Sequence, residues 1–433
     1  MTNSIWENEI TMPRFPTMQG NRKTDVLIVG GGLTGLLCAW RLQQEGVDYL
    51  LIEADRICSG TSGKTTAKIT SQHGLIYEKI AHTYGLETAR LYYEANEAAL
   101  EAYGRICANL ECDFGRKDSF VYTTDNPNRL KRELYVLEKI GARADFAEIL
   151  PLPFHVEGAI RFRNQAQFHP LKFAERLCYG LKILEHAPAR AFNGNTVLTD
   201  YGRITAEKII VATHFPILNK RGFYFAKQYQ SRSYMVSLLN APQLNGMYRD
   251  ESECGFSFRN YGTSLLVGGN SHRTGKSGGG WAALEKVAQR WYPTARLQYR
   301  WAAQDCMTLD GIPYIGKYSK GSSEYYVATG FNKWGMTSAM LASMILTDQI
   351  CGRENPYESV FTPQRSSLHP QLAVNMVESA ANLLRFSTPR CPHLGCALQW
   401  NPHEQSWDCP CHGSRFDEDG KLLENPATGD LKE

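Results

Sequence analysis

The sequence predicts an α/β protein, α+β overall, with a parallel nucleotide-binding sheet, a mixed β-sheet and a small all-β module near its C-terminal end. Three observations predict this fold. A buried strand, a glycine-rich turn and a helix follow one another early in the chain, aromatic alternating segments occur between residues 223 and 269, and Cys and His residues cluster after residue 390. The 433 residues are enough for a large core and two or three domains.

The first observation is a strand–turn–helix unit. Residues 26–29 are four consecutive apolar residues, a pattern typical of a buried parallel strand. Gly30, Gly32 and Gly35 follow in the spacing G-x-G-x-x-G, and residues 36–44 have the apolar pattern of a helix packed on a sheet. These glycines allow a tight turn, close approach of a pyrophosphate and close helix–strand packing, while the helix N-terminus offers N–H groups to phosphates. The alternative is a turn with a purely structural role.

A second strand, residues 49–52, ends at Glu53. Dinucleotide folds place at this position the carboxylate that accepts the hydroxyls of the adenosine ribose. An acid here, in place of an Arg, argues against a 2′-phosphate. The complete unit therefore predicts a dinucleotide site, but it does not separate FAD from NAD.

The composition narrows the classes of partner and compartment. The net charge is +3, and no block of basic residues occurs, so nucleic acid is not an expected partner. No run of eighteen apolar residues could span a membrane, and residues 1–23 lack the apolar stretch of a signal peptide. Eight cysteines are scattered singly through the first 351 residues, which suits buried thiols in a reducing cytoplasm. We therefore expect a cytoplasmic protein with no membrane span.

Two segments flank this unit. Residues 1–24 are predicted to form an arm that lies on the body of the protein. Residues 59–70 are small, hydroxylated and glycine-rich, so they could wrap a flat polar cofactor with backbone and hydroxyl hydrogen bonds. An ordinary solvated loop is the alternative for this segment.

The remaining elements are predicted from their hydrophobic periodicity. Residues 75–110 predict one long helix, and residues 223–240 and 253–269 predict an antiparallel sheet that ends in a polar cluster at 268–275. Further helices are predicted over residues 128–140, 170–179, 281–291, 337–350 and 372–384, and further strands over 120–123, 159–162 and 206–213.

A second strand–glycine–helix unit lies late in the chain. Residues 325–329 predict a strand that Gly330 ends, and a helix is predicted to start near Thr337. Its N-terminus could face the electron-rich edge of a ligand.

In their order and chemistry, these segments of residues 20–352 resemble the FAD-dependent oxidoreductases typified by D-amino-acid oxidase, sarcosine oxidase and glycine oxidase. The resemblance implies a discontinuous, Rossmann-like FAD-binding domain over residues 25–100, 160–222 and 300–352, and a mixed-sheet substrate domain over 101–159 and 223–299. It also implies hydride transfer to flavin N5 from a carbon next to an amine.

The same resemblance implies residue roles. It assigns FAD contacts to Gly30, Gly32, Leu33, Thr34, Gly35, Glu53, Ser62, Thr65, Thr66, Ala212, Gly330, Gly335, Met336 and Thr337. His73 and Lys333 lie beside flavin-facing segments, and His272 and Arg273 lie in the polar cluster, so these four are the catalytic candidates. In this family a substrate carboxylate is often held by an Arg and a Tyr of the sheet, for which the candidates are Arg232, Tyr234, Arg259, Tyr261, His272 and Arg273. A structural role is the alternative for each of them.

The third observation is the cluster Cys391-Pro-His-Leu-Gly-Cys396 with Cys409-Pro-Cys-His-Gly-Ser414. It resembles a Rieske [2Fe–2S] module, here over residues 385–433, after a linker with one helix over 353–384. The resemblance implies that Cys391 and Cys409 hold one iron and that His393 and His412 hold the other. It also implies a disulfide between Cys396 and Cys411. A zinc site is the alternative, but the spare cysteine in each loop would have no role there.

Two departures from the Rieske pattern are visible. Phe416 stands where high-potential members have a Tyr that donates a hydrogen bond to a ligand sulfur, while Ser414 is kept. We therefore expect a potential below the top of the Rieske range of about −150 to +300 mV. Before the first ligand loop there is room for only one strand, near residues 384–386, so we expect the flavoprotein body or another subunit to cover the cluster.

Together, the segments predict a FAD-dependent dehydrogenase that takes hydride from an amine or amino-acid-like small molecule and relays electrons through the Rieske cluster. One alternative is an electron-transfer flavo-iron-sulfur protein that serves a redox partner protein, and another is a redox sensor. The sequence leaves open whether the protein is a homo-oligomer.

Overall fold

The computed structural model describes residues 3–218, 221–252, 254–366, 369–385 and 389–431. The helices in these ranges are α1 Ile5–Glu9, α2 Leu33–Gln44, α3 Tyr77–Tyr84, α4 Leu86–Cys107, α5 Asn128–Lys139, α6 Pro170–Leu177, α7 Tyr224–Lys227, α8 Ala282–Trp291, α9 Gly335–Ile350, α10 Glu358–Phe361 and α11 Pro370–Leu384.

The strands are β1 Arg22–Val29, β2 Tyr49–Ile52, β3 Lys68–Ile69, β4 Gly115–Thr123, β5 Ala144–Ala147, β6 Gly158–Gln167, β7 Ile183–Leu184, β8 Ala189–Asn193, β9 Thr196–Thr199, β10 Gly202–Val211, β11 Gln228–Leu239, β12 Gly246–Asp250, β13 Ser257–Tyr261, β14 Ser264–Arg273, β15 Arg296–Thr308, β16 Tyr314–Lys317, β17 Tyr325–Thr329, β18 Gln399–Asn401, β19 Ser406–Asp408, β20 Arg415–Phe416 and β21 Leu422–Glu424.

The first sheet carries the glycine-rich turn. Its strand order is β16-β17-β10-β1-β2-β7, with β9 beside β10 and β8 beside β9. β1, β2, β7, β10 and β17 run parallel, and residues 26–29 of β1 are buried. Helices α2 and α9 pack against each other, so the helices after both predicted glycine turns share one layer. This arrangement confirms the predicted nucleotide-binding fold.

The second sheet is mixed, as predicted. Its order is β15-β11-β14-β13-β12-β4-β6-β3, with β5 beside β6, and β12 and β4 pair in parallel while the other pairs are antiparallel. Its inner face, which carries Met235, Leu266 and Trp301, belongs to the core shared with α2 and α9. Its outer face, which carries Tyr234 and Val236, packs with α8 in a separate core.

The single helix predicted over residues 75–110 is wrong, because two helices, α3 and α4, occupy this range. Gly85 separates them with a φ of +91°, a conformation that glycine adopts without a steric penalty. Since the apolar period continues across Gly85, the periodicity does not reveal the break.

The N-terminal arm packs on the predicted cofactor-wrapping segment. The Ser4 hydroxyl donates to the Gly63 carbonyl at 2.6 Å, and the Trp6 indole N–H donates to the Thr65 carbonyl at 2.7 Å. Ser4 and Glu7 form a capping box that starts α1. The sheet begins at Arg22, inside the range predicted for the arm.

The C-terminal module is a four-stranded sheet in the order β18-β19-β20-β21, which confirms the predicted small all-β unit. The strand predicted near residues 384–386 is wrong at Leu384, which ends α11, while Phe386 lies outside the described residues. In the described part of the module, the only pairing before the first ligand loop is the isolated bridge between Arg390 and Ala397.

Within the described ranges, no helix combines the length and the apolarity that a membrane crossing requires.

Candidate active site

The glycine-rich turn is tightly packed. A Cβ on Gly35 would overlap the Gly30 carbonyl, and a Cβ on Gly30, whose φ is +114°, would lie 2.5 Å from the Ala212 carbonyl oxygen. The Leu33 N–H, at the start of α2, donates to the Ser62 hydroxyl at 3.0 Å. These contacts bring residues from three predicted cofactor segments together at one helix N-terminus, where a pyrophosphate can be bound by backbone N–H groups.

Glu53 is held firmly beside this turn. Its carboxylate accepts the Gly31 N–H at 2.6 Å and the Asp55 N–H at 2.9 Å. Burial raises the pKa of Glu53, and the two backbone hydrogen bonds oppose that rise. Each carboxylate oxygen keeps a second lone pair for a ribose hydroxyl.

Residues 59–70 are packed against both the N-terminal arm and the second sheet. The Thr61 hydroxyl donates to the Gln304 carbonyl at 3.1 Å, and the Trp301 indole N–H donates to the Lys64 carbonyl at 2.9 Å. Ser62, Thr65 and Thr66 are half-buried. The segment therefore does not form the solvated loop that was the alternative, because both of its sides are covered by protein.

The second glycine turn is built by unusual backbone conformations. Gly330, Asn332 and Lys333 have φ values of +71°, +50° and +73°. Asn332 stabilises the turn, since its side-chain oxygen accepts the Thr308 N–H at 2.8 Å. A Cβ on Gly330 would overlap the side chain of Thr308, so glycine is required there on both counts.

His73 joins the two predicted flavin-facing segments. One ring nitrogen lies 2.7 Å from the Tyr92 hydroxyl, and the other lies 2.8 Å from the Thr70 carbonyl and 3.0 Å from the Thr337 hydroxyl. The ring stacks on Trp334 at 4.9 Å, and burial lowers the pKa of His73 to about 3. His73 is therefore neutral at physiological pH, and both of its nitrogens are engaged.

Five charged side chains lie on the inner face of the second sheet and in the turn before α9, and we call them the inner cluster: Lys68, Arg249, Arg259, Asp305 and Lys333. Lys68 interacts electrostatically with the positive charges of Arg249 and Arg259. Asp305 interacts in the same way with those of Lys333 and Arg249. The guanidinium of Arg249 lies 5.5 Å from the centre of the Trp334 ring. The cluster thus contains four cations and one carboxylate.

The protonation equilibria of the inner cluster are strongly perturbed. Burial lowers the pKa of Lys68 well below its ordinary value, and the charges of Arg249 and Arg259 lower it further. Burial raises the pKa of Asp305, and the charge of Lys333 opposes that rise. Such shifts in a group of facing residues are typical of binding and catalytic sites.

Arg259 has donors without acceptors. Its side chain is 1% exposed, one terminal nitrogen donates to the Ala67 carbonyl at 2.8 Å, and its guanidinium lies 5.4 Å from the Trp6 ring centre. Its Nε and its second terminal nitrogen are buried with no hydrogen-bond acceptor among the described residues. A buried cation with two unpaired N–H groups is costly, so this side chain suits an anionic or strongly polar ligand.

The predicted iron–sulfur ligands converge in the C-terminal module. The sulfur atoms of Cys396, Cys409 and Cys411 lie within 4.8 Å of one another, and Cys391 is in contact with Cys409. The Nδ1 atoms of His393 and His412 are 3.2 Å apart. All four cysteines are buried thiols in the structure. A group of four cysteines and a close pair of imidazoles in one module supply the ligand types of a Rieske cluster, whereas the division of the cysteines into ligands and a disulfide stays a prediction.

The flavoprotein body covers one edge of this centre. His412 is 2% exposed and packs edge-on against Phe215 and Phe225, with ring centres 6.2 and 6.1 Å away. Its Nε2 atom is buried with no partner among the described residues. His393 is half-buried. The ring of His412 is therefore enclosed, because the flavoprotein body replaces solvent around it.

A group of buried charges fixes the module to β11, and we call it the docking cluster: Arg232, Glu404, Asp408, Arg415 and Glu424. Arg232 of the body contacts Glu404 at 2.5 Å and Glu424 at 2.7 Å. Arg415 contacts Asp408 at 2.9 Å and reaches the same two glutamates at 3.1 Å each. Burial alone would raise the pKa of Glu404, but the charges of Arg232 and Arg415 outweigh it and lower the pKa to about 2.

Further contacts join the module to the second sheet and to the loop after β10 of the first sheet. The Gln304 amide donates to the Gly413 carbonyl at 2.8 Å, and the Arg273 guanidinium donates to the Pro410 carbonyl at 3.3 Å. The Asn425 amide donates to the Thr213 carbonyl, two residues after the end of β10. Thr213 follows Ala212, whose carbonyl lies against Gly30, so the module reaches the neighbourhood of the glycine-rich turn.

Comparison with known proteins agrees with this architecture. Residues 25–349 match the family described as FAD dependent oxidoreductase. The chain belongs to this FAD-dependent oxidoreductase family. Residues 368–433 match the Rieske [2Fe-2S] domain. The cofactors of the protein are accordingly FAD and a Rieske [2Fe–2S] cluster.

Three individual proteins are similar to this FAD-dependent oxidoreductase over most of its length. A putative Rieske 2Fe-2S iron-sulfur protein of Bacillus subtilis is 33% identical over 496 residues, which cover 99% of this chain and 97% of that protein. The gamma-glutamylputrescine oxidoreductase of Escherichia coli is 24% identical over 384 residues, 80% of this chain and 88% of that protein. The crystal structure of glycine oxidase from Geobacillus kaustophilus covers 80% of this chain and 99% of that chain, with a TM-score of 0.67 and 19% identity.

The structure separates the predicted site residues of the oxidoreductase into two groups. His73 contacts Thr70 and Thr337, Lys333 lies in the turn before α9, and Arg259 contacts Ala67, so these three residues adjoin the segments that resemble flavin-facing ones. Arg232 and Arg273 contact the Rieske module, and the Asn375 oxygen of α11 accepts from Arg273 at 3.0 Å.

The remaining candidates are also engaged by protein groups. The His272 Nε2 atom lies 3.2 Å from the Tyr234 hydroxyl on the outer face. The Tyr261 hydroxyl lies 2.6 Å from a carboxylate oxygen of Glu9 and 2.9 Å from one of Asp113. For these residues the contacts support structural roles in place of substrate binding.

Three residues of the inner cluster, Lys68, Arg249 and Asp305, are not among the site residues predicted from the sequence. A signal was present, because Asp305 stands at an inward position of the alternating strand β15, where Trp301 and Ala303 are core residues. A charged residue at an inward position of a buried strand indicates a ligand or an ion pair.

Proposed function

We propose that this FAD-dependent oxidoreductase is a dehydrogenase for a carboxylate-bearing amine and that its electrons leave the flavin through the Rieske cluster. FAD supplies the hydride acceptor, and the [2Fe–2S] cluster supplies a one-electron carrier. The residues of this chain bind and orient the substrate between the inner face of the second sheet and the turn before α9.

The inner cluster supports the substrate class. Lys68 and Arg259 come from neighbouring segments, since Arg259 donates to the carbonyl of Ala67. A carboxylate that accepts from the unpaired N–H groups of Arg259 would compensate that buried cation and would also lie near Lys68. Asp305 offers an acceptor for the substrate amine.

The comparisons support action on a carbon–nitrogen bond. The Escherichia coli relative is named for gamma-glutamylputrescine, an amine, and the glycine oxidase shares the fold. For this chain we propose only the type of bond that is oxidised, a carbon–nitrogen bond, and not the substrate of either relative.

One observation supports the proposed electron transfer from the flavin to the cluster. The docking cluster holds the module rigidly against the body, with His412 between two phenylalanines of the FAD side. A cluster that is fixed this way needs no domain movement to meet the flavin. A built-in one-electron carrier also favours a dehydrogenase over an oxidase that reduces oxygen directly.

The test is anaerobic reduction of the holoprotein by a panel of amino acids and carboxylate-free amines, with NADH in parallel. We expect a carboxylate-bearing amine to bleach the flavin and then to produce the electron paramagnetic resonance signal of a reduced Rieske cluster. In Cys409→Ser, which removes a predicted cluster ligand, flavin bleaching should persist without that signal. Bleaching by NADH or by a reduced carrier protein, with no response to any amine, would contradict the proposal and favour an electron-transfer protein.

A further inference from the structure

Helix α11 has inverted polarity. Its buried residues are two asparagines, Asn375 and Asn382. Its outward side chains are apolar, and large parts of Val377 and Leu384, 70% and 76%, are exposed. The exposed apolar residues of the helix are Ala373, Val374, Met376, Val377, Ala380, Ala381, Leu383 and Leu384. At 100° per residue these eight positions form one continuous half of the helix surface.

The orientation of α11 is fixed. The Asn375 amide donates to the Ala226 carbonyl at 3.1 Å, and its oxygen accepts from Arg273 at 3.0 Å. The Ala397 N–H donates to the Asn382 carbonyl at 3.1 Å. Rotation of the helix to bury its apolar half would break these bonds and expose their buried partners, so the apolar half has to face outward.

The outward half carries no charge. Glu378 is the one charged residue between residues 370 and 384, and it pairs with Lys276 at 2.5 Å on the inner side. The next charge along the chain is the exposed Arg385 at the C-cap of the helix, and Arg390 follows it and donates to the Gly395 carbonyl at 2.6 Å. A redox carrier protein is usually drawn to its site by complementary charge, and the eight exposed apolar positions of the helix carry none.

The apolar half continues into the first Rieske ligand loop. A Cβ on Gly395 would meet the Leu383 side chain at 3.9 Å, and Leu394 beside it is 40% exposed. The surface therefore borders His393, the half-buried predicted ligand, whose ring also packs edge-on against Phe215 of the body with ring centres 6.4 Å apart.

We propose that this surface binds the same surface of a second copy of the chain, so that the protein is a dimer built around α11. Two uncharged faces do not repel each other, and a twofold contact requires a surface that complements itself. The exposed side chains of α11 and Leu394 offer roughly 600 Å² per chain, so two copies would bury about 1,200 Å², the lower bound of specific interfaces. The second copy would cover the His393 side of each cluster.

The test measures the mass of the full-length holoprotein by light scattering and sedimentation over a wide concentration range. We expect twice the mass of one chain for the native protein. Val377→Glu places a charge at the centre of the face and should reduce the mass to that of one chain. Ile149→Glu is the matched control, because Ile149 is 90% exposed on the body away from α11, and it should stay dimeric.

Flavin and cluster absorption check that each variant is folded, and Val377→Ser with Leu384→Ser is a milder second variant that should weaken the dimer in the same direction. A native protein of single-chain mass at every concentration would overturn the proposal, and so would a dimer that survives Val377→Glu. If the native protein is a single chain and Val377→Glu slows electron delivery to a small carrier protein, the face belongs to a carrier and the second copy is excluded.

Discussion

The docking cluster and the inner cluster use the same kinds of charged side chain on opposite faces of the second sheet. Arg232 stands opposite Gln304, and Asp305 stands opposite Ser231, so Arg232 and Asp305 point to different sides of the sheet. On the outer side, two arginines meet three carboxylates at 2.5–3.1 Å. On the inner side, the charges of Lys68 and Arg259 repel each other, and two guanidinium nitrogens of Arg259 have no acceptor among the described residues. The saturated group joins two parts of the chain, whereas the unpartnered nitrogens of Arg259 leave room for a ligand's negative charge.

The protonation equilibria express the same difference. The pKa of Glu424, like that of Glu404, is lowered to about 2, because Arg232 and Arg415 outweigh the effect of burial. On the inner face, burial dominates and lowers the pKa of Lys68. The charged form of a buried group is stabilised when oppositely charged groups of the protein surround it. The charged form is destabilised when the group is buried without such partners.

The largest expected effect comes from breaking the saturated group. Arg232→Ala leaves Glu404 and Glu424 as buried carboxylates with one cation fewer, and we expect it to lower the free energy of unfolding by about 3–5 kcal/mol. Denaturant unfolding measures this, and faster proteolysis between residues 366 and 389 would report release of the module. Arg163→Ala is the control, because Arg163 pairs with Asp145 while its side chain is 62% exposed, so it should cost under about 1 kcal/mol. Equal losses in the two variants would refute the distinction.

Acid should release the module for the same reason. The folded pKa of both glutamates is about 2, below the value of about 4.3 in an unfolded chain. Their contribution to stability is therefore complete above pH ~4.3 and is lost as the pH falls towards 2. Thermal unfolding across this range measures the loss, and in Arg232→Ala the loss should begin at higher pH. An unchanged pH profile in that variant would show that Arg232 does not set these pKa values.

Removing the unpaired guanidinium of the inner cluster should affect binding more than stability. We expect Arg259→Met to raise KM for a carboxylate-bearing amine about 10- to 150-fold, the equivalent of a lost hydrogen bond between charged groups. An amine without a carboxylate is the control substrate, and its KM should change little. If the variant instead loses FAD while KM stays constant, Arg259 contacts the cofactor and not the substrate.

The lowered pKa of Lys68 predicts an alkaline limit of substrate capture. The ammonium attracts a carboxylate below its pKa, and this attraction is lost as the pH rises through that pKa, which burial has lowered. The alkaline fall of kcat/KM, which reports the free enzyme, should therefore occur below the ordinary range of a lysine. Lys68→Arg should move it to higher pH, since arginine keeps its charge. An alkaline limit that does not move would assign it to another group.

The smallest expected effect concerns the cluster itself. Phe416 is fully buried in the same small core as Cys391 and Cys409, and it cannot donate a hydrogen bond to a sulfur. Phe416→Tyr should raise the reduction potential by about 40–60 mV, the value of one hydrogen bond that favours the reduced state. A redox titration measures this, with Phe416→Leu as the control that should not raise the potential. A reduction potential of the native protein near the upper limit of the Rieske range would contradict the expectation that this potential is lowered by the missing hydrogen bond.

Local features could be predicted from the sequence. The glycine-rich turn depends on neighbouring residues, since Gly30, Gly35 and the start of α2 are close in the chain, and the ligand loops around Cys391 and Cys409 have their own spacing. A tight turn and a set of metal ligands each depend on residues that are close together in the chain, so both can be predicted from a short stretch of sequence.

Non-local features could not be predicted. His272 and Arg273 lie in a polar segment that suits a substrate site equally well, and only the docking of residues 389–431 decides that Arg273 meets Pro410. Likewise, Gly85 interrupts a helix whose apolar period continues on both sides, so the break depends on a backbone angle that periodicity does not encode.

The hydrogen bond from Asn425 to Thr213 has a consequence for the order of assembly. The glycine-rich turn precedes Ala212 and Thr213 in the chain, and Asn425 lies 212 residues after Thr213. Contacts between distant parts of a chain form late in folding. The surroundings of the flavin site are therefore complete only when the iron–sulfur module has been synthesised and docked, so maturation of the two cofactor sites is coupled through the contact of Asn425 with Thr213.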